Sequence, residues 1–420
     1  VNWQTTVKTS NFTAANGEGY FVNTTGGAIT VTLPASPSAG DIVAVKDYAN
    51  TFDTNNVTLG RNSSKIGGAD IDGTLSEEGI AVTLVFIDST RGWLVTDSGL
   101  QSEASTASYV VATGGTVTCC GDFKIHTFTG PGTFEVTSAG NSNGSNELEY
   151  IVVAGGGQGG VNRRGGGGAG GFRFASPSLA PATYPGKPLA APAAITASVA
   201  SFPITVGGGA AQRPNPNPTP PTGFGLSGSP STFSTITSAG GGGGSCSSSS
   251  ANLVGGPGGS GGGGYGNPSD GGTPTLAGGA GNTPPVSPAQ GRDGGDGGGS
   301  GQTSGGGGGG AINEGEDSAS SGGTAALGGD GAGIPTGFGS NGVPCGSFRY
   351  YAGGGAGGSG CSPAGPRAGG KGGGGNGGFP GSNATAGATN SGGGGGAGGQ
   401  SGFGAAGGSG VVIIRYKFQN

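Results

Sequence analysis

Glu147-Leu-Glu-Tyr-Ile-Val-Val-Ala154 runs straight into Gly155-Gly-Gly157, and Gly408-Ser-Gly-Val-Val-Ile-Ile-Arg-Tyr-Lys-Phe418 leads back out of glycine. Both flanks are short, apolar and β-branched, which is how a strand reads. Between them glycine dominates, with unbroken runs at 240–244, 305–310, 372–375 and 392–396. Of 109 glycines, 90 follow Tyr150, where average usage is about 7%. A stretch with so few side chains cannot build an oily core; it stays disordered or packs backbone against backbone. Two strands bracketing it predict one β framework, 109–154 plus 411–420, pairing across a glycine-rich insert at 155–410. Glu147 and Glu149 would then face Arg415 and Lys417, contributing about 0.2–1 kcal/mol per pair.

Working outward, residues 1–100 read as a separate all-β module. Segments 28–33, 41–46, 56–59, 81–87 and 92–96 are short, β-branched and bounded by Gly, Asn, Asp or Pro, the signature of strands and turns. No stretch carries a sustained 3.6-residue apolar period; 75–80 has room for one helical turn. Residues 101–108 are polar and form a linker. Further strands are expected at 122–128, 133–137, 202–206 and, as one alternating run, 231–237.

Three states are open to the glycine region. Collagen needs glycine at every third position, and the unbroken run 305–310 violates that frame. A flexible linker rarely reaches such length and does not need Phe, Ile, Tyr and Leu spaced through it. The remaining expectation is a bundle of polyglycine II helices, whose backbone groups point sideways and must be paired by neighbours. The fold class expected is therefore all-β: an N-terminal module, then a jelly-roll-like β-sandwich with a large inserted polyglycine II helix bundle.

Composition narrows the function classes. Hydrophobic residues make up 31% and charged residues 9%, with a net charge of −5. The 17 basic residues form no stripe, which argues against nucleic acid. No window holds the 18 or more apolar residues of a membrane span. The opening Val-Asn-Trp-Gln does not read as a signal peptide, lacking a basic n-region before an apolar stretch, and with no methionine in the chain a fragment or processed product is expected. Cys119, Cys120, Cys246, Cys345 and Cys361 lack the spacing of a disulfide scaffold or zinc site. Free or buried thiols are expected, with a 345–361 bridge left open.

At 149–157, 233–241 and 408–418 the chain resembles glycine-rich tail-fibre and adhesin proteins of bacteriophages, particularly marine ones. Tyr20-Phe-Val-Asn-Thr24, Val31-Thr-Leu-Pro34, Ala39-Gly-Asp41, Val45-Lys-Asp47 and Gly92-Trp93 resemble a β module common in phage fibres. The resemblance covers nearly the whole chain, resting on strand edges and turns. It implies a homotrimeric virion fibre or adhesin whose loops bind a host-cell surface receptor, a glycan or an outer-membrane protein, alongside other fibre or tail proteins. It implies neither membrane insertion nor nucleic-acid binding. The runner-up is a purely structural fibre, decoration or appendage.

Nothing points to catalysis, a cofactor or a metal. The single histidine, His126, lies in an alternating strand and reads as structural. No G-x-x-x-x-G-K-[ST] is present, and Asp70-Ile-Asp72-Gly73 reads as a turn rather than a calcium loop. Asp293 and Asp296, or Glu314, Glu316 and Asp317, are candidates to gather a cation, with solvated carboxylates the default. A depolymerising enzyme would need paired carboxylates in a groove, and no such pair stands out. Binding is more legible. Phe348-Arg349-Tyr350-Tyr351 concentrates three aromatics and a cation, the types enriched at interaction hot spots. Two readings stand for it, receptor contact or anchorage on the glycine core. Arg163, Arg164, Tyr265 and Arg367 are further receptor-contact candidates, with Tyr184, Phe224, Phe338 and Phe379 weaker ones.

Overall fold

A computed structural model describes residues 1–100, 107–212, 224–246, 254–266, 277–298, 304–318, 325–360 and 366–419. The chain forms two compact units, Val1–Thr106 and Ala107–Asn420. Most of the expected linker, 101–106, lies outside the described residues; Ala107 and Ser108 begin the second unit. Among the described residues no helix is long and apolar enough to cross a membrane.

The first unit is built from nine strands: β1 (Asn2–Lys8), β2 (Phe12–Thr13), β3 (Glu18–Val22), β4 (Ile29–Thr32), β5 (Ile42–Asp47), β6 (Val57–Gly60), β7 (Gly73–Leu75), β8 (Ile80–Asp88) and β9 (Gly92–Leu100). The chain alternates between two sheets. β1, β3 and β5 pair in parallel in one, and β2, β4 and β6 pair in parallel in the other. β7 then closes the second sheet and β8–β9 the first, all antiparallel. Inward residues of both sheets, among them Val22, Val31, Val45, Leu59, Leu84 and Trp93, form one buried core. No helical turn forms at 75–80; a tight turn joins β7 to β8 there.

The framework of the second unit is a stack of three sheets. Its strands are β10 (Val110–Thr113), β11 (Thr116–Cys120), β12 (Phe123–Phe128), β13 (Gly132–Ala139), β14 (Glu147–Val153), β15 (Phe172–Ala175), β16 (Ile195–Thr196), β17 (Ala200–Thr205), β18 (Ser231–Phe233), β19 (Ile236–Ser238), β20 (Ala332–Pro335), β21 (Val343–Cys345), β22 (Phe348–Tyr351) and β23 (Val411–Lys417). The middle sheet has the order β11-β12-β23-β14-β15, with β16 added to β14. One face packs on the sheet β10-β13-β17-β18-β19 through Val152, Tyr150, Val412, Ile414, Phe134 and Phe233. The other packs on β20-β22-β21 through Ile151, Val153, Val411, Ile413, Ile334 and Tyr351. Burial on both faces is why β14 and β23 are continuous apolar runs rather than alternating ones.

The bracketing strands do pair, antiparallel, with Glu149 directly opposite Arg415. Glu147 instead faces Thr196, and Lys417 faces Phe123. The Glu149–Arg415 ion pair is buried, with side chains 3% and 6% exposed. Glu149 also accepts the Ser178 amide at 2.9 Å, and the Arg415 guanidinium lies 3.5 Å from the Phe123 ring centroid. A buried pair gains little net stability, but removing one partner strands the other charge, costing about 3–5 kcal/mol.

The all-β reading stands, but the inserted polyglycine II helix bundle does not. Among the described residues the only helices are two three-residue 3-10 turns, Lys187–Leu189 and Thr336–Phe338. Nor is 155–410 one insert on a two-sheet jelly roll, because it supplies β15 to β22 and a third sheet. The glycine segments between these strands belong to no helix and no strand. Their backbone N–H groups bond to other segments and not within their own. Gly155, Gly156 and Gly157 donate to Ser229, Gly408 and Gly168; Gln158, Gly159 and Gly160 donate to Leu226, Ala405 and Gly165. Every third N–H returns to the same neighbouring segment. The result is a laterally bonded array of short segments, close enough to bond because glycine carries no Cβ.

Candidate recognition surface

The array has two ends. From Val153 of β14 the chain runs through 155–160, turns at 161–163 and returns through 164–171 into β15. The bonds Gly157 N–H to Gly168 O (2.8 Å) and Gly160 N–H to Gly165 O (2.9 Å) hold the two arms antiparallel. Val161–Asn162–Arg163 is therefore the end remote from the strands. A second hairpin, 392–410, turns at 400–402 before entering β23.

Backbone bonds place these turns side by side. Asn162 N–H donates to Gly402 O (3.0 Å) and Arg163 N–H to Gly398 O (2.7 Å). The Asn162 side chain accepts the Ser401 amide at 3.1 Å. A third turn joins them: Gly381 N–H donates to Gln400 O (2.9 Å), and Asn383 accepts the Phe403 amide at 3.0 Å. Asn162, Gln400 and Ser401 are exposed, and Phe379 is 42% exposed. Three of the turn residues hold left-handed backbone without being glycine: Asn162 (φ 55°), Arg163 (φ 69°) and Ser401 (φ 61°). For a residue with a Cβ that conformation is strained.

The sequence candidates divide between the two ends. Phe348-Arg349-Tyr350-Tyr351 is strand β22 at the framework end, paired to β20 and β21. Tyr351 is 1% exposed, 6.2 Å from the Phe172 ring, and donates its hydroxyl to Asn341 O at 2.8 Å. Tyr351 therefore packs in the core, the position the anchorage reading gives it. Phe348 packs against the same core, and the Tyr350 ring covers Gly333, leaving Arg349 partly exposed. Tyr184 and Phe338 are core residues too. Burial pushes the Tyr184 hydroxyl up to about 12.

Arg163, Arg164, Tyr265, Arg367 and Phe379 belong to the remote end. Arg164 is 8% exposed, donates to the Cys246 carbonyl, and lies 5.3 Å from the Tyr265 ring centroid. Arg367 donates to Ala325 O at 2.6 Å and stands 3.7 Å from Glu316. Phe224 bridges to Ser245 and is half-buried.

The acidic candidates lie in the array. Asp293 accepts the Gly281 amide, Asp296 that of Gly278, Asp317 that of Asp296 and Glu316 that of Leu327, at 2.7–2.9 Å. These carboxylates thus accept backbone N–H groups of neighbouring segments, as carbonyls do elsewhere in the array. Cys119, Cys120 and Cys345 are exposed free thiols, Cys246 is buried, and Cys361 of the suggested bridge lies outside the described residues. Asn162, Gln400 and Ser401 were not singled out by sequence reasoning. Their signal was present as polar residues interrupting glycine runs.

A framework of stacked sheets carrying a glycine array that ends in clustered turns defines a glycine-rich β protein. Residues 127–417 match the glycine-rich domain family, and the chain belongs to that family. No curated protein matches the chain.

Proposed function

We propose that this chain is a bacteriophage fibre or adhesin protein that recognises a receptor on the host surface through the remote turns of its glycine array. The observation that carries the reading is the gathering of Asn162, Arg163, Phe379, Gln400 and Ser401 where three turns meet, away from every strand. Polar and aromatic side chains on a backbone-held support can vary without disturbing the support, which suits a recognition surface. The likeness of 149–157, 233–241 and 408–418 to phage adhesins supplies the virion setting, a homotrimer with other fibre proteins and a glycan or outer-membrane receptor.

The test uses purified, fluorescently labelled chain incubated with a panel of marine bacteria. Binding to a subset of strains is expected. A variant combining Asn162→Gly, Phe379→Ala and Ser401→Gly should lose it while keeping its melting temperature. Binding that survives this variant, or binding to no strain, would favour a structural fibre without recognition.

A further inference from the structure

Arg163 and Arg164 stand side by side at the remote turns, Arg164 buried and Arg163 half-buried. Arg415 has Glu149 and Arg367 has Glu316 as carboxylate partners. Among the described residues no carboxylate pairs with Arg163 or Arg164. Arg164 is more than nine-tenths buried. One of its Nη groups donates to the Cys246 carbonyl and its guanidinium faces Tyr265, but its Nε is buried without a partner. The Nε of Arg163 is likewise buried and unpartnered. Gln158, fully buried one step further in, leaves its Nε2 unpartnered too. A buried guanidinium ordinarily has an anion or full hydrogen bonding to offset its lost hydration.

The backbone adds a second, independent observation. At φ 69° position 163 is one where glycine is unstrained. In a segment otherwise rich in glycine, the chain places an arginine there, beside another. Burial pushes the Arg164 pKa down, with Cys246 and Tyr265 opposing in part and the Arg163 charge adding to the fall, so two like charges are held together at the tip.

We propose that Arg163 and Arg164 form an anion-recognition site that takes the carboxylate or phosphate group of an acidic surface glycan, an assignment that rests on the receptor-recognition reading above. Planar guanidinium forks match the paired oxygens of such groups. Tyr265 under Arg164 and Phe379 at the neighbouring turn offer apolar faces to the sugar rings.

Calorimetric titration of the full chain tests this with three probes: an oligogalacturonate, its carboxyl-reduced neutral counterpart, and inorganic phosphate. Oligogalacturonate is expected to bind and the neutral sugar not. Arg163→Gly relieves the left-handed backbone, so it should keep the melting temperature while binding about 10-fold more weakly or worse. Arg164→Lys keeps the charge, loses the fork, and should also weaken binding. Failure of the folded chain to bind either anion, or wild-type affinity in both variants, overturns the proposal. Phosphate binding without oligogalacturonate binding assigns the site to a free anion and overturns the glycan part. Strain-selective cell binding is read separately, so it can persist when the anion site fails.

Discussion

His126 shows what a lone titratable group does in the framework. Its ring is fully buried, with Nδ1 2.7 Å from Gly114 O and Nε2 3.0 Å from the Tyr416 hydroxyl. It packs edge-on to Phe134 and stacks on Tyr416. Burial lowers its pKa, opposed in part by the Gly114 bond. The folded state thus holds neutral imidazole more strongly than the unfolded chain does. Its contribution is complete above the unfolded value near 6.5 and is lost as pH falls through the lowered folded value. The melting temperature should therefore hold between pH 8 and 7 and decline as the pH falls below about 6.5. His126→Gln should flatten that decline; an identical slope in wild type and variant would refute the assignment. The structural role of this histidine was legible from its alternating strand. Its partner was not, because Tyr416 is 290 residues away.

At the scale of elements, strands and glycine segments differ in how they name their neighbours. β14 and β23 were readable because apolar side chains on both faces demand two covering layers. The Glu149–Arg415 register was half-readable: charge type restricted it, but β16 and β12 took Glu147 and Lys417. The run 231–237 reads as one strand, yet it is the hairpin β18–β19, broken at Ser234 with φ 52°. Alternation persists across a tight turn, so the pattern conceals it. Glycine segments carry no such pattern, and what holds them is close approach. A Cβ on Gly261 would overlap the carbonyl of Gly279, whereas at Gly208 nothing lies within 4 Å. Neither backbone oxygen nor its bonded neighbours can move freely in a laterally bonded array. Gly261→Ala should therefore lower stability by about 1–3 kcal/mol or more. Gly208→Ala should be neutral or raise it by about 0.4–1 kcal/mol. Chemical denaturation of the two variants checks this, and equal midpoints would sink the account.

At the scale of the whole molecule, each unit holds its own buried core: Val22, Val45 and Trp93 in the first, and the two sides of the middle sheet in the second. Residues 1–106 produced alone should give a cooperative thermal transition and β-type circular dichroism. A broad, non-cooperative melt would show that this unit depends on the other. By itself the sequence determined the all-β class, the two strands that bracket the glycine region, and the backbone-to-backbone packing of the glycine runs themselves. Those features follow from residue type over a few positions. The apolar core that 155–410 also supplies was not expected. Only the tertiary structure decided the third sheet, the two-ended array, and the meeting of 161–163 with 379–383 and 400–402. It also moved Phe348–Tyr351 to the framework and left Arg163 and Arg164 at the remote turns. The physical reason is that a glycine has no side chain with which to choose a partner. Neighbours in the array are set by where the strands anchor each segment and how far each runs before turning.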